Sequence, residues 1–221
     1  MSTKRTLACL TLGFALPVLA LAPGAAQTGV SPGPAQSAPV PAPAPSVPAA
    51  PPAVTGRPTL VPAPADAAEV AEVTLPGKPA AIVSGTSTWE EGVENLKKAF
   101  RKLDEELTRA GVQPSGRPLT VFTQTDDMSF RYDAMVPVTA APEGRASLSA
   151  EVRFGRTPAG KALRFEHKGP YDGIDTTYET ITAYLDLKGL TAEDAFVEEY
   201  ATDLVDPSDP ALEVNIYALL R

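Results

Sequence analysis

Two segments of the chain carry apolar residues at the three- to four-residue spacing of an amphipathic helix. The first segment is marked by Val93, Leu96, Phe100, Leu103 and Leu107. The second is marked by Ile174, Tyr178, Ile181 and Leu185. Because each segment has a single apolar stripe, we expect each helix to lie against one side of a sheet.

Residues that suit helix termini flank both segments. Thr88 is the predicted N-cap of the first helix, and Glu91 three residues later would complete a capping box. Asp172 is the predicted N-cap of the second helix. Gly111 and Gly189 follow the last apolar positions and are the predicted C-terminal stops, because glycine readily adopts the left-handed conformation there.

Other segments alternate between apolar and polar residues, which is typical of half-buried strands. One predicted strand carries Leu148, Ala150, Val152 and Phe154 on the same face. One face of the last predicted strand consists of Leu212, Val214, Ile216, Ala218 and Leu220. A strand with one apolar face belongs in an antiparallel sheet that is covered on one side.

The segments occur twice in the same order, which indicates an internal duplication. The first half reads "LPGKPAAIVSGTSTWEEGVENLKKAF", "RPLTVFTQTDD" and "FRYDAMVPV". The second reads "PAGKALRFEHKGPYDGIDTTYETITAYL", "DAFVEEYATDL" and "LEVNIYALL". We therefore predict an α+β fold of two β-α-β-β units with pseudo-twofold symmetry. Their strands form one antiparallel sheet covered on one side by the two helices, with a cleft where the halves meet.

Residues 1–26 have the three parts of a secretory signal peptide. Lys4 and Arg5 precede an apolar run from Thr6 to Ala22, and the small residues of "APGAAQ" suit a cleavage site. The mature protein is therefore expected in the periplasm or secreted. An uncleaved signal-anchor is the alternative, and it would be the only attachment to a membrane.

Residues 27–67 are rich in proline and alanine and are predicted to be a disordered linker. Two interpretations remain open: a spacer that holds a domain away from a membrane or cell wall, and a low-complexity leader without a role. Residues 68–221 have the length of one domain with its own core.

Charge and composition narrow the classes of partner. The net charge is −8, and loss of Lys4 and Arg5 with a signal peptide would make it more negative by two. Such a chain lacks the basic surface of nucleic-acid binders, so no nucleic-acid partner is expected, and its field favours cations. The only cysteine, Cys9, lies in the signal segment, and His167 is the only histidine. No metal site and no cofactor are therefore predicted.

The segments "HKGPYDGIDTTYETITAYLDLKGL", "VEEYATD" and "LEVNIYALL" resemble the second half of the GyrI-like small-molecule-binding domain. This domain is also the effector-binding domain of AraC-type and multidrug-responsive regulators. The first half, "LPGKPAAIVSGTSTW", is similar more loosely. The resemblance implies a groove between the halves that binds small aromatic or cationic molecules. In regulators a DNA-binding domain precedes this one, whereas a signal peptide and a proline-rich tract do so here, which argues against transcription regulation.

Glu198 is the principal candidate for chemistry. Strand alternation places Phe196, Glu198, Tyr200 and Thr202 on one face, and the family's carboxylate matches Glu198 rather than Glu199. In a cleft, burial would raise the pKa of Glu198, which could then balance a cationic ligand or act as a general acid or base. The alternative is that Glu198 lies on a solvated face.

Aromatic and apolar residues complete the predicted ligand site. Tyr200 could stack on a flat ligand or face a cation. Phe130, Tyr132 and Met135 could form the opposite wall, and each has the alternative interpretation of a core residue. Trp89 and Tyr171 occupy equivalent positions before the two helices and could flank the groove mouth. His167 is predicted at a strand end, on the rim of the groove.

Four basic residues, Lys97, Lys98, Arg101 and Lys102, are interpreted as a solvated helix face. The favoured hypothesis for the whole chain is an exported module that binds an amphipathic small molecule, with cationic and aromatic molecules as the candidates. The first alternative is a hydrolase of a reactive small molecule that uses Glu198 in the same groove, so the sequence leaves catalysis undecided. The second is a non-catalytic protein-interaction module.

Overall fold

The computed structural model describes residues 56–63, 70–141 and 148–221. The predicted signal peptide and most of the predicted linker lie outside these residues. The strands of the described part are β1 (Val70–Pro76), β2 (Pro79–Thr88), β3 (Leu119–Thr125), β4 (Ser129–Pro137), β5 (Val152–Arg156), β6 (Ala159–Lys168), β7 (Ala192–Tyr200) and β8 (Glu213–Leu220). Its helices are α1 (Gly92–Ala110) and α2 (Ile174–Lys188), the latter preceded by a 3-10 turn, Tyr171–Gly173.

These strands pair antiparallel in one sheet with the order β1-β6-β8-β7-β3-β4-β2-β5. The first unit is β1-β2-α1-β3-β4 and the second is β5-β6-α2-β7-β8. If each strand is replaced by its counterpart in the other unit, the strand order is the same, read from the opposite edge of the sheet. The predicted α+β fold and its duplication are therefore confirmed, and each unit gains one strand at its start. That added strand pairs with the other unit, β1 with β6 and β5 with β2, which joins the two halves at both edges.

The short links between the first two strands of each unit also contact each other. Gly77 and Lys78 join β1 to β2, and Gly77 has a φ of 63°, which favours glycine. Thr157 lies in the corresponding link between β5 and β6. The backbone N–H of Lys78 donates to Thr157 Oγ1 at 2.9 Å, and the N–H of Thr157 donates to the Lys78 carbonyl at 2.8 Å. The two links therefore satisfy each other's backbone groups.

Both helices pack on the same face of the sheet, as predicted. Leu103 and Leu107 of α1 and Ile181 of α2 belong to one core with sheet residues such as Val136 and Val214. Burying these side chains contributes about 1.5–3 kcal/mol each relative to leaving them exposed. Among the described residues, no helix combines the length and the hydropathy needed to cross a membrane.

The helix ends differ in part from the predictions. The C-terminal stops are confirmed, because Gly111 and Gly189 have φ values of 66° and 61°. The predicted N-caps are wrong: α1 begins after Glu91, although the Glu91 N–H still donates to Thr88 Oγ1 at 3.3 Å. Similarly, the 3-10 turn that contains Asp172 precedes α2, so Gly173 holds the N-cap position.

The strand predicted across residues 148–154 begins later, at Val152. The preceding residues form a turn in which the Val152 N–H donates to the Ser149 carbonyl at 3.1 Å. The Glu106 carboxylate of α1 accepts the Ser149 N–H at 3.0 Å. A hydrogen bond to α1 therefore holds this turn, whereas the sequence predicts strand pairing here.

A second core lies on the sheet face away from the helices. It contains Leu75, Ile82, Leu119 and Tyr217, and Leu60 packs against it with 4% of its surface exposed. We call residues 56–63 the strap. Residues 56–63 belong to the segment predicted to be a linker, but in the structure they pack on the domain.

Candidate ligand-binding cavity

A cavity of about 610 Å³ lies on the helix side of the sheet, between the beginnings of α1 and α2. From the first unit it is lined by α1 and by strands β3 and β4, for example through Leu96, Phe122 and Phe130. From the second unit it is lined by α2 and β7, for example through Ile174 and Phe196. The cavity therefore lies where the two halves meet, as the duplicated sequence predicts for a cleft.

Glu198 of β7 lies at the floor of this cavity with 1% of its surface exposed. Three tyrosine hydroxyls donate to its carboxylate: Tyr178 to Oε1 at 2.7 Å, Tyr171 to Oε2 at 2.8 Å and Tyr200 to Oε2 at 3.0 Å. Burial raises the pKa of Glu198, while the three donors oppose that shift by stabilising the ionised form. We call these four side chains the Tyr–Glu cluster.

The local structure explains how the four side chains meet. Glu198 and Tyr200 are two residues apart on β7, so they share the helix-side face of the sheet. Tyr171 lies in the 3-10 turn and Tyr178 follows in the second turn of α2. Burial, followed by the charge of Glu198, raises the pKa of each tyrosine well above its ordinary value. The phenols therefore stay protonated and remain hydrogen-bond donors at neutral pH.

Aromatic rings form the walls of the cavity. Phe130 lies 4.8 Å from Trp89 and 5.3 Å from Phe122, measured between ring centroids. Tyr178 and Phe196 make an edge-to-face contact at 5.4 Å. Trp89 is 52% exposed at the mouth, where its indole N–H donates to the Asp126 carbonyl at 2.9 Å. These rings offer stacking faces for a flat ligand.

The charged side chains lining the cavity are all acidic. Glu90, Asp172 and Asp175 are exposed at its mouth and Glu198 lies at its floor. No lysine, arginine or histidine of the described residues is among its lining side chains. A concave site with one sign of charge concentrates ions of the opposite sign, so this cavity favours cations.

Four of the predicted site residues line this cavity: Glu198, Trp89, Phe130 and Tyr171. Tyr200 contributes its hydroxyl to the Tyr–Glu cluster, but its ring lies behind the cavity and is fully buried.

Two further predicted site residues lie outside the cavity wall. Tyr132 packs at 5.8 Å from Phe130 and over Gly85 rather than along the cavity. Met135 lies on the opposite face of the sheet, because it is an odd number of residues from Phe130 and Tyr132 on the same strand.

Tyr178 is the main site residue that sequence reasoning missed. The sequence pattern places it in the apolar stripe of the second helix, together with Ile174. That stripe does face the sheet, but its first turns lie over the cavity, where Ile174 and Tyr178 both line the wall. The hydroxyl was the available signal, because a tyrosine in a buried stripe needs a hydrogen-bond partner.

His167 has a structural role. It is 6% exposed, and its Nε2 lies 3.1 Å from the Pro170 carbonyl. A carbonyl can only accept, so Nε2 carries the hydrogen, and Nδ1 accepts the Thr177 hydroxyl at 2.9 Å. The imidazole thereby joins the end of β6 to the beginning of α2, and it does not line the cavity.

The chain belongs to the GyrI-like small-molecule-binding domain family, which it matches over residues 68–221. This assignment agrees with the family resemblance of the sequence and covers both units of the fold. No curated protein matches the chain in sequence.

Solved structures share the fold at low sequence identity. The C-terminal domain of EcmrR has a TM-score of 0.57 and 14% identity, over 69% of this chain and 96% of that domain. The EcmrR chain of an EcmrR–DNA complex gives 0.59 and 14%, but only 57% of that longer chain is covered. A hydrolase from Listeria innocua gives 0.53 and 13%, over 74% of this chain and 93% of that one.

Proposed function

We propose that the domain binds an amphipathic small molecule with a positive charge and an aromatic or otherwise flat apolar body. The observation that carries the proposal is the cavity itself, which combines aromatic walls with acidic side chains and the buried Glu198. Family membership supports small-molecule binding. The volume of about 610 Å³ lies in the range of small-molecule sites.

The Tyr–Glu cluster would act on a cation through its charge rather than through a direct hydrogen bond. Both carboxylate oxygens of Glu198 already accept hydrogen bonds from tyrosines. Their hydroxyl oxygens keep lone pairs, and the ring of Tyr178 lines the cavity. A ligand cation would therefore meet an electron-rich surface of phenol groups with a negative charge directly behind it.

Hydrolysis by Glu198 is the second candidate, and it is favoured by the position of this carboxylate in a cavity and by the fold shared with the Listeria innocua hydrolase. A general base must reach the water that it activates. Glu198 is 1% exposed and both of its oxygens already accept tyrosine hydroxyls, so access of a water to the carboxylate would require at least one tyrosine to move. This geometry supports binding over catalysis.

Export is part of the proposal and rests on the sequence of residues 1–26. Cleavage within or just after "APGAAQ" would release a protein that begins near residue 27. Mass spectrometry of the protein purified from its native cell envelope tests this point. A mature N-terminus near residue 27 is expected, whereas an intact N-terminus in the membrane fraction would indicate the signal-anchor.

A dye experiment tests binding against the other functions. Ethidium, a flat aromatic cation whose fluorescence rises in apolar surroundings, is titrated against the full-length chain, with the anion fluorescein as the charge control. Saturable binding of ethidium and thermal stabilisation of the protein are expected, with the dye recovered unchanged. Equal binding of both dyes would contradict the charge argument. If neither dye binds, the proposal fails and the protein-interaction alternative gains.

A further inference from the structure

A second cavity, of about 350 Å³, lies between α1, the strap and the segment that follows β7. We call it the strap cavity. Arg57 of the strap, Phe100 and Arg101 of α1, and Leu204 after β7 are among its lining residues. Tyr200 is also among its lining residues, although its side chain is fully buried and its hydroxyl donates to Glu198 at the first cavity.

The charges at the strap cavity differ from those at the first cavity. Its two lining carboxylates are both held by arginines: Asp104 accepts from Arg57 Nη1 at 3.3 Å, and Asp203 accepts from Arg117 Nη2 at 2.9 Å. Arg101 also lines this cavity, and its guanidinium makes no hydrogen bond or ion pair with the described residues, although its charge helps to lower the pKa of Glu94. The hydrogen-bond donors of Arg101 are therefore available to a ligand in the cavity.

The other basic residues of the α1 surface have polar partners, including Lys97, which also lines the strap cavity. Lys97 pairs with Glu94 at 2.8 Å, Lys98 donates to Asn95 Oδ1 at 3.3 Å, and Lys102 pairs with Glu151. The sequence pattern alone groups all four as a solvated face. The structure separates Arg101 from the rest, because it stands beside an apolar depression with its donors unused.

The floor of the strap cavity is apolar. Phe100 and Leu204 are each 9% exposed there, and Phe100 makes an edge-to-face contact with Tyr200 at 5.3 Å between ring centroids. Val205, which is 71% exposed, stands at the rim. An apolar floor beneath an unpaired guanidinium suits a ligand with one anionic group on a small apolar body.

We propose that the strap cavity is a second binding site, which accepts a small amphipathic organic anion. Its carboxylate or sulfonate would pair with Arg101, and its apolar body would rest on Phe100 and Leu204. The site does not depend on the proposed ligand of the first cavity, because no described residue lines both cavities.

Titration of 2-naphthoate into the full-length chain, followed by calorimetry, tests this proposal. The test variant is Arg101→Glu and the matched control is Lys98→Glu, which makes the same charge change on the same helix away from the strap cavity. Loss of a charge-assisted contact should weaken naphthoate binding about tenfold or more in Arg101→Glu. The control should weaken it by less than about threefold, since only the screened long-range field changes.

Two further variants assign the site. Val205→Trp at the exposed rim should block naphthoate without entering the core, and Glu198→Gln should leave its affinity unchanged within about twofold. The proposal is overturned if wild type gives no saturable heat with naphthoate, or if Arg101→Glu and Lys98→Glu behave alike. It is also overturned if Glu198→Gln changes naphthoate binding as strongly as Arg101→Glu does.

Discussion

At the scale of single residues, the Tyr–Glu cluster is the feature that links stability to function. A buried carboxylate is costly unless hydrogen bonds replace the water that it loses. Tyr171, Tyr178 and Tyr200 supply these bonds to Glu198, and they come from a turn, a helix and a strand. The cluster therefore also fixes the beginning of α2 against β7.

The bond from Tyr178 can be removed with little change of shape. Tyr178→Phe leaves Glu198 Oε1 without its 2.7 Å donor, and should lower the free energy of unfolding by about 1.5–3 kcal/mol, as for hydrogen bonds to charged groups. Urea denaturation at neutral pH measures the loss. Tyr184→Phe on the same helix is the control, because the Tyr184 hydroxyl makes no hydrogen bond to the described residues. Equal losses in the two variants would contradict this role of Tyr178.

The raised pKa of Glu198 predicts the sign of a pH effect. Burial raises the pKa of the folded state above the unfolded value, so the folded protein binds the proton more tightly. The contribution of Glu198 to stability is then fully present below the unfolded pKa and is lost as pH rises through the folded pKa.

Denaturation of wild type and Glu198→Gln across this range isolates the effect. The free energy of unfolding of wild type, relative to the variant, should fall as pH rises from about 4, near the ordinary carboxyl pKa, and then become constant. Taking the difference removes the contributions of Glu94 and Glu106, whose pKa values are lowered. A difference that increases with pH would mean that the pKa of Glu198 is lowered instead.

Sequence reasoning located the centre of the cluster but not all of its members. Alternation on one strand suffices to place Glu198 and Tyr200 on a common face, and the same parity could have excluded Met135. Glu199 is not selected by the sequence pattern, yet it is fully buried on the opposite face of the sheet. There its carboxylate accepts the Tyr217 hydroxyl at 2.7 Å and the Leu60 N–H at 2.5 Å. Its partners come from distant parts of the chain, which no local pattern reveals.

At the scale of elements, the strap shows how tertiary contacts override composition. Its sequence contains two prolines in eight residues, but Leu60 packs against an apolar face and Glu199 accepts the Leu60 backbone N–H. The Arg117 N–H also donates to the Pro58 carbonyl at 3.0 Å. A short extended segment that forms no helix or strand has no periodicity from which its docking could be predicted.

Truncation of Leu60 tests whether the strap stabilises the domain. Leu60→Ala should lower the free energy of unfolding by about 2–5 kcal/mol, the usual range for removing a buried leucine side chain. Leu187→Ala is the matched control, because Leu187 is 82% exposed and should change stability by no more than about 0.5 kcal/mol. Denaturant unfolding compares the two variants. A Leu60→Ala loss as small as that of the control would show that the strap is not part of the folded unit.

The pairing of each unit's first strand with the other unit, β1 with β6 and β5 with β2, is the other feature that sequence patterns did not predict. The helices, their apolar stripes and β8 follow directly from periodicity, and the duplicated order gives the pseudo-twofold sheet. β1 and β5 instead pair with strands of the other unit, between residues 69 to 95 positions apart in the chain. Register over such distances is a property of the assembled sheet and not of either strand alone.

At the scale of the whole molecule, the two units are alike in architecture but not in chemistry. β3 and β7 form the central strand pair, in which Thr120 of the first unit is opposite Glu198 of the second. Only the second unit places a carboxylate there, with two of its three tyrosine donors coming from the region of α2. Duplication thus supplies a cavity between the two units, and divergence of the second unit supplies its buried carboxylate.

The central claim is that the charge of Glu198 is used to bind a cation in the first cavity. Ethidium binding to the full-length chain is measured by fluorescence titration for wild type, Glu198→Gln and Glu199→Gln. The last variant makes the same chemical change at the neighbouring buried residue, on the other face of the sheet.

Glu198→Gln should weaken ethidium binding by about tenfold to a hundredfold, the effect of removing one nearby charge from a partly buried site. Glu199→Gln should keep the wild-type affinity within about threefold, because it alters the face that holds the strap. Unchanged ethidium affinity in a folded Glu198→Gln protein, or equal losses in the two variants, would contradict the account.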